Sequence, residues 1–320
     1  MKIYNKSQIE QVTQLDLNAL AAVENGFKAL GQGNVTMPPI LSMAIEEHNG
    51  EVDVKTAHIK GNERFAIKIS QDFLDNPKLG LPSLNGLMVL FSAKTGLVDS
   101  VLFDEGYLTD IRTALAGAIS AKYLSNSEAS KITVIGSGLQ AELQVAAIKL
   151  VRPISQVNIW ARDNTKSQAY KQRMEQRYDL SVSVHSSIQQ ACQEADIIVT
   201  TTPSKEPLLN WEDIPSGAHV IAMGSDSPHK RELATSVILN AEHLVVDRIS
   251  QSESLGELRG VDKPLTRSLV ELGDIICGKH PPYSRRVDDV SVCDLTGTGV
   301  QDTAIADYTA QQLTRIQSTM

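Results

Sequence analysis

Ile132-Thr133-Val134-Ile135-Gly136-Ser137-Gly138-Leu139-Gln140-Ala141 is an apolar strand that runs into Gly-x-Gly-x-x-Ala and then into a helix. Each small residue has a task in such a turn. The first glycine makes the tight bend, and the second lets backbone approach a pyrophosphate. The small third residue lets the helix pack on the strand, and the helix N-terminus offers N–H groups and a positive dipole to the phosphates. A glycine turn alone is weak evidence. Here the strand before it, the helix after it and the pattern downstream agree, so the stretch predicts a dinucleotide site.

Downstream of Lys131 the chain alternates strand and helix. After ITVIG come a helix from Leu139, VNIWA, a helix over 166–177, VSVH, and the buried strands DIIVTTT, HVIAMG and HLVVD. Ser187-Ile188-Gln189-Gln190 has capping-box spacing and opens a further helix. Residues 290–295 read as a strand and 304–316 as a helix. Alternation of this kind predicts an α/β fold, a Rossmann-type doubly wound parallel sheet with helices on both faces. The second strand ends in Arg162 and Asp163. An acid at that tip bonds the ribose 2′-hydroxyl of NAD and an arginine pairs the 2′-phosphate of NADP, so the choice between NAD(H) and NADP(H) stays open.

Upstream the pattern differs. Asp16 caps a helix over 17–30, with Leu20, Val23, Phe27 and Leu30 at helical spacing. Short β-rich runs follow at 40–45, 52–59, 65–69, 87–92 and 97–103, joined by Asn49-Gly50, Gly61-Asn62 and Thr95-Gly96 turns. This is an antiparallel meander. An alanine-rich helix over 110–124 closes it. The predicted division is an α+β domain over 1–125, with 304–320 packing back on it, and a nucleotide domain over 126–303.

With 320 residues, two domains fit the length. The 30 basic against 38 acidic side chains give a net charge of −8, which argues against nucleic-acid binding. No run reaches the roughly 18 apolar residues of a membrane span. The polar start, MKIYNKSQIEQ, does not read as a signal peptide. Cys192, Cys277 and Cys293 form no Cys-x-x-Cys pair and read as free thiols of a reducing cytoplasm. The seven histidines show no metal-ligand spacing, so no metal is expected.

Five motifs then carry a resemblance: Phe65-Ala-Ile-Lys68, Thr109-Asp-Ile-Arg112-Thr-Ala, Gly136-Ser-Gly-Leu-Gln140-Ala, Thr201-Thr-Pro203 and Gly224-Ser-Asp226-Ser-Pro228-His-Lys230-Arg-Glu-Leu. Over essentially its whole length the chain resembles the ornithine cyclodeaminase/mu-crystallin family. Met37-Pro-Pro-Ile, Val52-Asp-Val-Lys55-Thr-Ala and the stretch from Asp75 to Gly86 resemble its iminosuccinate reductase and ectoine-utilisation branch. The resemblance implies a homodimer paired through the sheets of the first domain, a substrate-binding role for that domain, and hydride transfer between a nicotinamide and the Cα of a small amino or imino acid.

It also implies site residues. Lys68, Arg112 and Asp226 are the catalytic candidates. Arg112 grips a carboxylate, Lys68 lies in an otherwise apolar strand, and Asp226 protonates the imine or holds it positive. Lys55, Ser83 and Lys230 join Lys68 and Arg112 as substrate-binding candidates. Gly136, Ser137, Gly138, Leu139, Gln140, Arg162, Asp163, Thr201, Thr202, Met223, Gly224 and Ser225 form the cofactor set. Family members often carry Pro-x-Arg before the first strand, whereas this chain has Pro38-Pro39-Ile40; Lys55 is a candidate replacement for that arginine. The segment Asp294-Leu-Thr-Gly-Thr-Gly-Val-Gln-Asp302 brings small residues toward the nicotinamide end, or simply turns into the last helix.

Three functions compete on this reading. The first is an NAD(P)H-dependent reductase of a small 2-imino acid, iminosuccinate or a cyclic imine such as pyrroline-2-carboxylate. The second is ornithine cyclodeamination to proline and ammonia. The third is a mu-crystallin-like protein that binds NADPH and a small ligand.

Overall fold

The computed structural model describes residues 1–261, 265, 269–279 and 286–319. The first part of the chain runs β1 (Lys2–Asn5), α1 (Lys6–Val12), α2 (Leu17–Gly31), β2 (Val35–Thr36), β3 (Leu41–Ile45), β4 (Gly50–Ile59), β5 (Arg64–Phe73), β6 (Leu84–Ser92), β7 (Val98–Phe103) and α3 (Tyr107–Leu124). The rest runs β8 (Lys131–Ile135), α4 (Leu139–Ile148), β9 (Gln156–Trp160), α5 (Asn164–Tyr178), β10 (Ser181–Val184), α6 (Ile188–Cys192), β11 (Ile197–Thr200), β12 (His219–Ala222), α7 (Thr235–Asn240), β13 (His243–Val246), α8 (Ile249–Ser252), β14 (Val270–Glu271), α9 (Leu272–Ile276), β15 (Ser291–Asp294) and α10 (Gly299–Thr319).

Contacts divide the chain into two units, residues 1–112 with 298–320, and residues 113–297. The sequence reading drew these boundaries at 125/126 and 303/304. The first boundary falls inside α3, and the second falls just before α10, which starts at Gly299 rather than at 304.

In the first unit β7, β6, β5 and β4 form the expected antiparallel meander, with β2 and β3 both paired to β4. β1 extends it in parallel beside β7. This strand has no sequence signature, because only one of its four residues is buried. Asp16 caps α2 as predicted, accepting from Asn18 N at 2.9 Å and Ala19 N at 2.8 Å. The core lies where α10 packs on β4 and β5 and against α2. Gly26 permits that approach, since a Cβ there would sit 3.1 Å from Ala304 Cβ. Gly299 permits another, since its Cβ would strike the Thr56 carbonyl. Close packing therefore requires this glycine of the Thr-Gly-Thr-Gly segment.

The second unit is an eight-stranded sheet, ordered β10-β9-β8-β11-β12-β15-β13-β14, with every pairing parallel. Strand order reverses beside β8, so the glycine turn lies at the switch point where ligands of such sheets bind. One local expectation is corrected. Ser187 caps α6 by accepting from Gln190 N, but Gln190 Oε1 accepts from Ser186 Oγ, so the box is only half formed. Among the described residues no helix is long and apolar enough to cross a membrane, and no cluster of His, Cys, Asp and Glu could hold a metal. All three cysteines are unbridged.

Candidate active site

The first unit buries a cluster of charge. Side chains alternate across a strand, so the inward stripe of β4 is Lys55, Ala57 and Ile59, and that of β5 is Ala66, Lys68 and Ser70. Two lysines thus occupy positions where a core stripe is normally apolar. Lys55 and Lys68 stand directly opposite each other in the β4–β5 ladder, on the same face. They are 5% and 2% exposed, and Arg112, from the second turn of α3, is 6% exposed.

One fully buried carboxylate holds two of these cations together. Asp302, in the first turn of α10, has Oδ2 at 3.3 Å from Lys68 Nζ and Oδ1 at 2.9 Å from Arg112 Nε. Arg112 Nη1 also donates to Gln301 Oε1 at 3.0 Å. Lys55 Nζ lies 3.5 Å from Asp53 Oδ2 at the less buried end. Burial pushes the Lys68 ammonium down to about 7; Asp302 opposes the shift while Arg112 and Lys55 add to it. Burial pushes Asp302 upward, but Lys68, Arg112 and Lys55 outweigh it and hold the carboxyl below its usual range. Asp104 is raised to about 6, chiefly by burial, with the charge of Lys68 opposing the shift. Lys55, Lys68 and Arg112 stand among Asp302, Asp53 and Asp104, and together they offer several charged donors to a carboxylate.

Ser83 is not brought to this cluster by the register. It precedes β6, whereas Lys68 pairs with Met88, about 16 Å further along the strand at 3.3 Å per residue. Asp302 and Gln301 are the residues that sequence reasoning left without a role. The only available signal was an acid in the first turn after a glycine segment, which also reads as an ordinary complement to the helix dipole.

In the second unit the glycine turn has the form a pyrophosphate needs. Gly136 has φ +126°, and a Cβ there would lie 2.5 Å from Thr201 Oγ1. A Cβ on Gly138 would meet nothing within 4 Å, so there is room at the N-terminus of α4, where Leu139 and Gln140 begin the helix. Thr201 N donates to the Ile135 carbonyl at 2.9 Å, placing Thr201 against this turn. At the tip of β9, Asp163 accepts from Thr165 N at 2.9 Å and Lys166 N at 3.2 Å, capping α5. Arg162 beside it is exposed.

Met223, Gly224 and Ser225 follow β12, and the Asp226 carboxylate comes next. Asp226 Oδ1 accepts from Lys230 Nζ at 2.7 Å, and Ser225 Oγ donates to the Lys230 carbonyl at 2.9 Å. Asp226 and Lys230 are therefore an ion pair closing one turn of loop. The structure thus gathers Lys55, Lys68 and Arg112 in one unit, and the cofactor candidates with Asp226 and Lys230 in the other.

The chain is similar to proteins of known sequence and structure along nearly its whole length. An uncharacterized cyclodeaminase of Sinorhizobium fredii is 47% identical over 317 residues, covering 98% of this chain and 96% of that protein. A Delta(1)-pyrroline-2-carboxylate reductase of Bacillus thuringiensis is 31% identical over 256 residues, 78% of this chain and 77% of that one. The iminosuccinate reductase of Paracoccus denitrificans, solved with NAD+, superposes with a TM-score of 0.89 at 26% identity, covering 99% of this chain and 97% of that one. The sequence model of one family matches residues 1–315. This chain belongs to the ornithine cyclodeaminase/mu-crystallin family.

Proposed function

We propose that this chain is an NAD(P)H-dependent imine reductase that converts iminosuccinate to aspartate. The observation that carries the reading is the buried pairing of Lys55 with Lys68 beside Arg112. The β3–β4 ladder begins at Leu41 opposite Val54, so Ile40, where the family arginine is missing, immediately precedes the end of the ladder that adjoins Lys55. A lysine ammonium there supplies the charge that the arginine would bring. Lys55, Lys68 and Arg112 supply donors enough for a substrate with two carboxylates.

In the proposed reaction Arg112 and Lys68 grip the carboxylate beside the imine carbon, and Lys55 adds charge for the second carboxylate. Asp226 keeps the imine nitrogen protonated and so keeps the carbon electrophilic. The glycine turn at Gly136 and Gly138 fits a dinucleotide pyrophosphate, and Thr201, Thr202, Met223, Gly224 and Ser225 would line its nicotinamide end. A bound reduced nicotinamide would supply the hydride. The exposed Leu41 and Met43 of β3 support pairing of two copies through the first unit's sheet. A cyclic imine is the second substrate reading, favoured by the 31% identical pyrroline-2-carboxylate reductase.

The test is oxidation of NADH and NADPH at 340 nm with freshly generated iminosuccinate and with pyrroline-2-carboxylate. Faster turnover of iminosuccinate is expected. No turnover of either would remove the reductase reading, and proline with ammonia from ornithine would replace it. Asp226→Ala should cut turnover far more than cofactor affinity.

A further inference from the structure

We propose that Glu232 is the positioning residue of the nucleotide unit, clamping the two loops that present the cofactor candidates and Asp226. The inference rests on the cofactor reading above. Glu232 is fully buried, and its carboxylate accepts four hydrogen bonds. Thr202 N and Thr202 Oγ1 donate to Oε1 at 2.6 and 2.7 Å. Thr200 Oγ1 and Gly224 N donate to Oε2 at 2.6 and 2.8 Å.

These donors come from two places only. Thr200 ends β11 and Thr202 follows it, and Gly224 follows β12, its parallel neighbour, where Thr200 pairs with Ala222. One side chain therefore ties together the points where two strands turn into loops. Gly224 is shaped for this contact, since a Cβ there would lie 2.5 Å from Glu232 Oε2 and would strike the Thr202 carbonyl. Glu232 is itself held from behind. Its own N–H donates to Glu257 Oε1 at 2.8 Å, and Leu233 N donates to Glu257 Oε2 at 3.1 Å. Glu257 N in turn donates to Asp294 Oδ2 at 2.9 Å, at the end of β15.

The four donors are neutral. Burial pushes the Glu232 carboxyl upward, while the four hydrogen bonds, which favour its ionised form, oppose that shift. Packing alone would be served by an apolar side chain. Donors converging on both oxygens need two acceptors, which a glutamine cannot provide: its amide NH2 would face N–H or O–H donors on one side. Glu232→Gln should therefore release one loop while changing the side-chain volume little.

The experiment compares wild type, Glu232→Gln and Thr200→Val, the second variant removing a single donor should the first fail to fold. Three readouts are taken: hydrogen–deuterium exchange, NADH affinity by fluorescence, and the single-turnover rate of imine reduction. Faster exchange confined to 201–205 and 223–231 is expected in Glu232→Gln, with β8 and β9 unchanged. NADH affinity and the single-turnover rate should each fall about tenfold, as loss of a charge-assisted hydrogen bond implies, with the KM for imine changed less than about threefold. Thr200→Val should show the same pattern in weaker form. Unchanged exchange in both loops overturns the clamp. Faster exchange with unchanged NADH affinity and single-turnover rate overturns the positioning role and leaves the cofactor reading intact. Wild type that binds neither NADH nor NADPH overturns the cofactor reading and this inference with it.

Discussion

Lys68 Nζ lies 3.3 Å from Asp302 Oδ2, and both side chains are almost wholly shut off from water. The same carboxylate reaches Arg112 Nε at 2.9 Å. Asp302 is thus the resident counter-ion of a cationic core, and α10 delivers it from the far end of the chain. Taking it away strands buried charge. Asp302→Asn should cost about 3–5 kcal/mol of stability, the usual penalty for removing one partner of a buried pair. Thermal unfolding is the measurement. Lys68→Met in the Asp302→Asn background should recover part of the loss, whereas strictly additive losses would show that the two groups do not interact.

Lys68 also sets a pH dependence. Burial lowers its ammonium from 10.5 to about 7. Between these values the unfolded chain holds a proton that the folded chain has released, so this group's contribution to stability rises with pH across the window. Carboxylate binding has the opposite dependence, because it requires the protonated form. Affinity for aspartate, the proposed product, should fall by up to about tenfold per pH unit above about 7. Calorimetric titration from pH 6 to 9 measures it. Lys68→Arg should flatten the profile, since arginine stays charged; a wild-type profile already flat would remove Lys68 from carboxylate recognition.

How much of this was legible beforehand depends on the range over which each signal acts. The glycine turn, the Asp16 cap and the alternating second half are local, and they appear in the structure where the sequence put them. β1 was not legible because its exposed residues carry no alternation. Lys68 stood out as a charge in an apolar strand, but its partner Asp302 lies on another element brought near only by folding. Lys55 was readable as a candidate only; the register that sets it opposite Lys68 belongs to strand pairing. Ser83 shows the converse, a residue chosen by motif that the register carries away from the cluster.

Lys55 gives a prediction about specificity. Lys55→Met should lower kcat/KM for iminosuccinate about 10- to 100-fold, the range for losing a charged hydrogen bond. For pyrroline-2-carboxylate, with one carboxylate, the fall should stay within about threefold. Ile40→Arg added to Lys55→Met should restore much of the loss, because Ile40 immediately precedes β3, whose pairing with β4 starts next to Lys55. Equal falls for both substrates would place Lys55 on the carboxylate they share and take away the charge argument for a dicarboxylic imine.

Glu257 sets the sign of a different pH effect. Burial raises its carboxyl from 4.5 to about 7, with Glu232 adding repulsion and the N–H groups of Glu232 and Leu233 opposing. Across that window the folded chain keeps a proton that the unfolded chain has lost. Its contribution to stability therefore falls as pH rises and is level above about 7. Glutamine carries no such proton. The stability of Glu257→Gln relative to wild type should rise by about 3 kcal/mol between pH 4.5 and pH 7, because each tenfold change in proton affinity is worth about 1.4 kcal/mol. Denaturant unfolding of the two proteins at a series of pH values gives the difference directly. At low pH the variant should be the less stable, since the protonated carboxyl and its hydrogen bonds to the Glu232 segment are intact in wild type. A difference that does not move with pH would mean that Glu257 is ionised throughout, and that Glu232 is backed by a fixed anion rather than by a titrating acid.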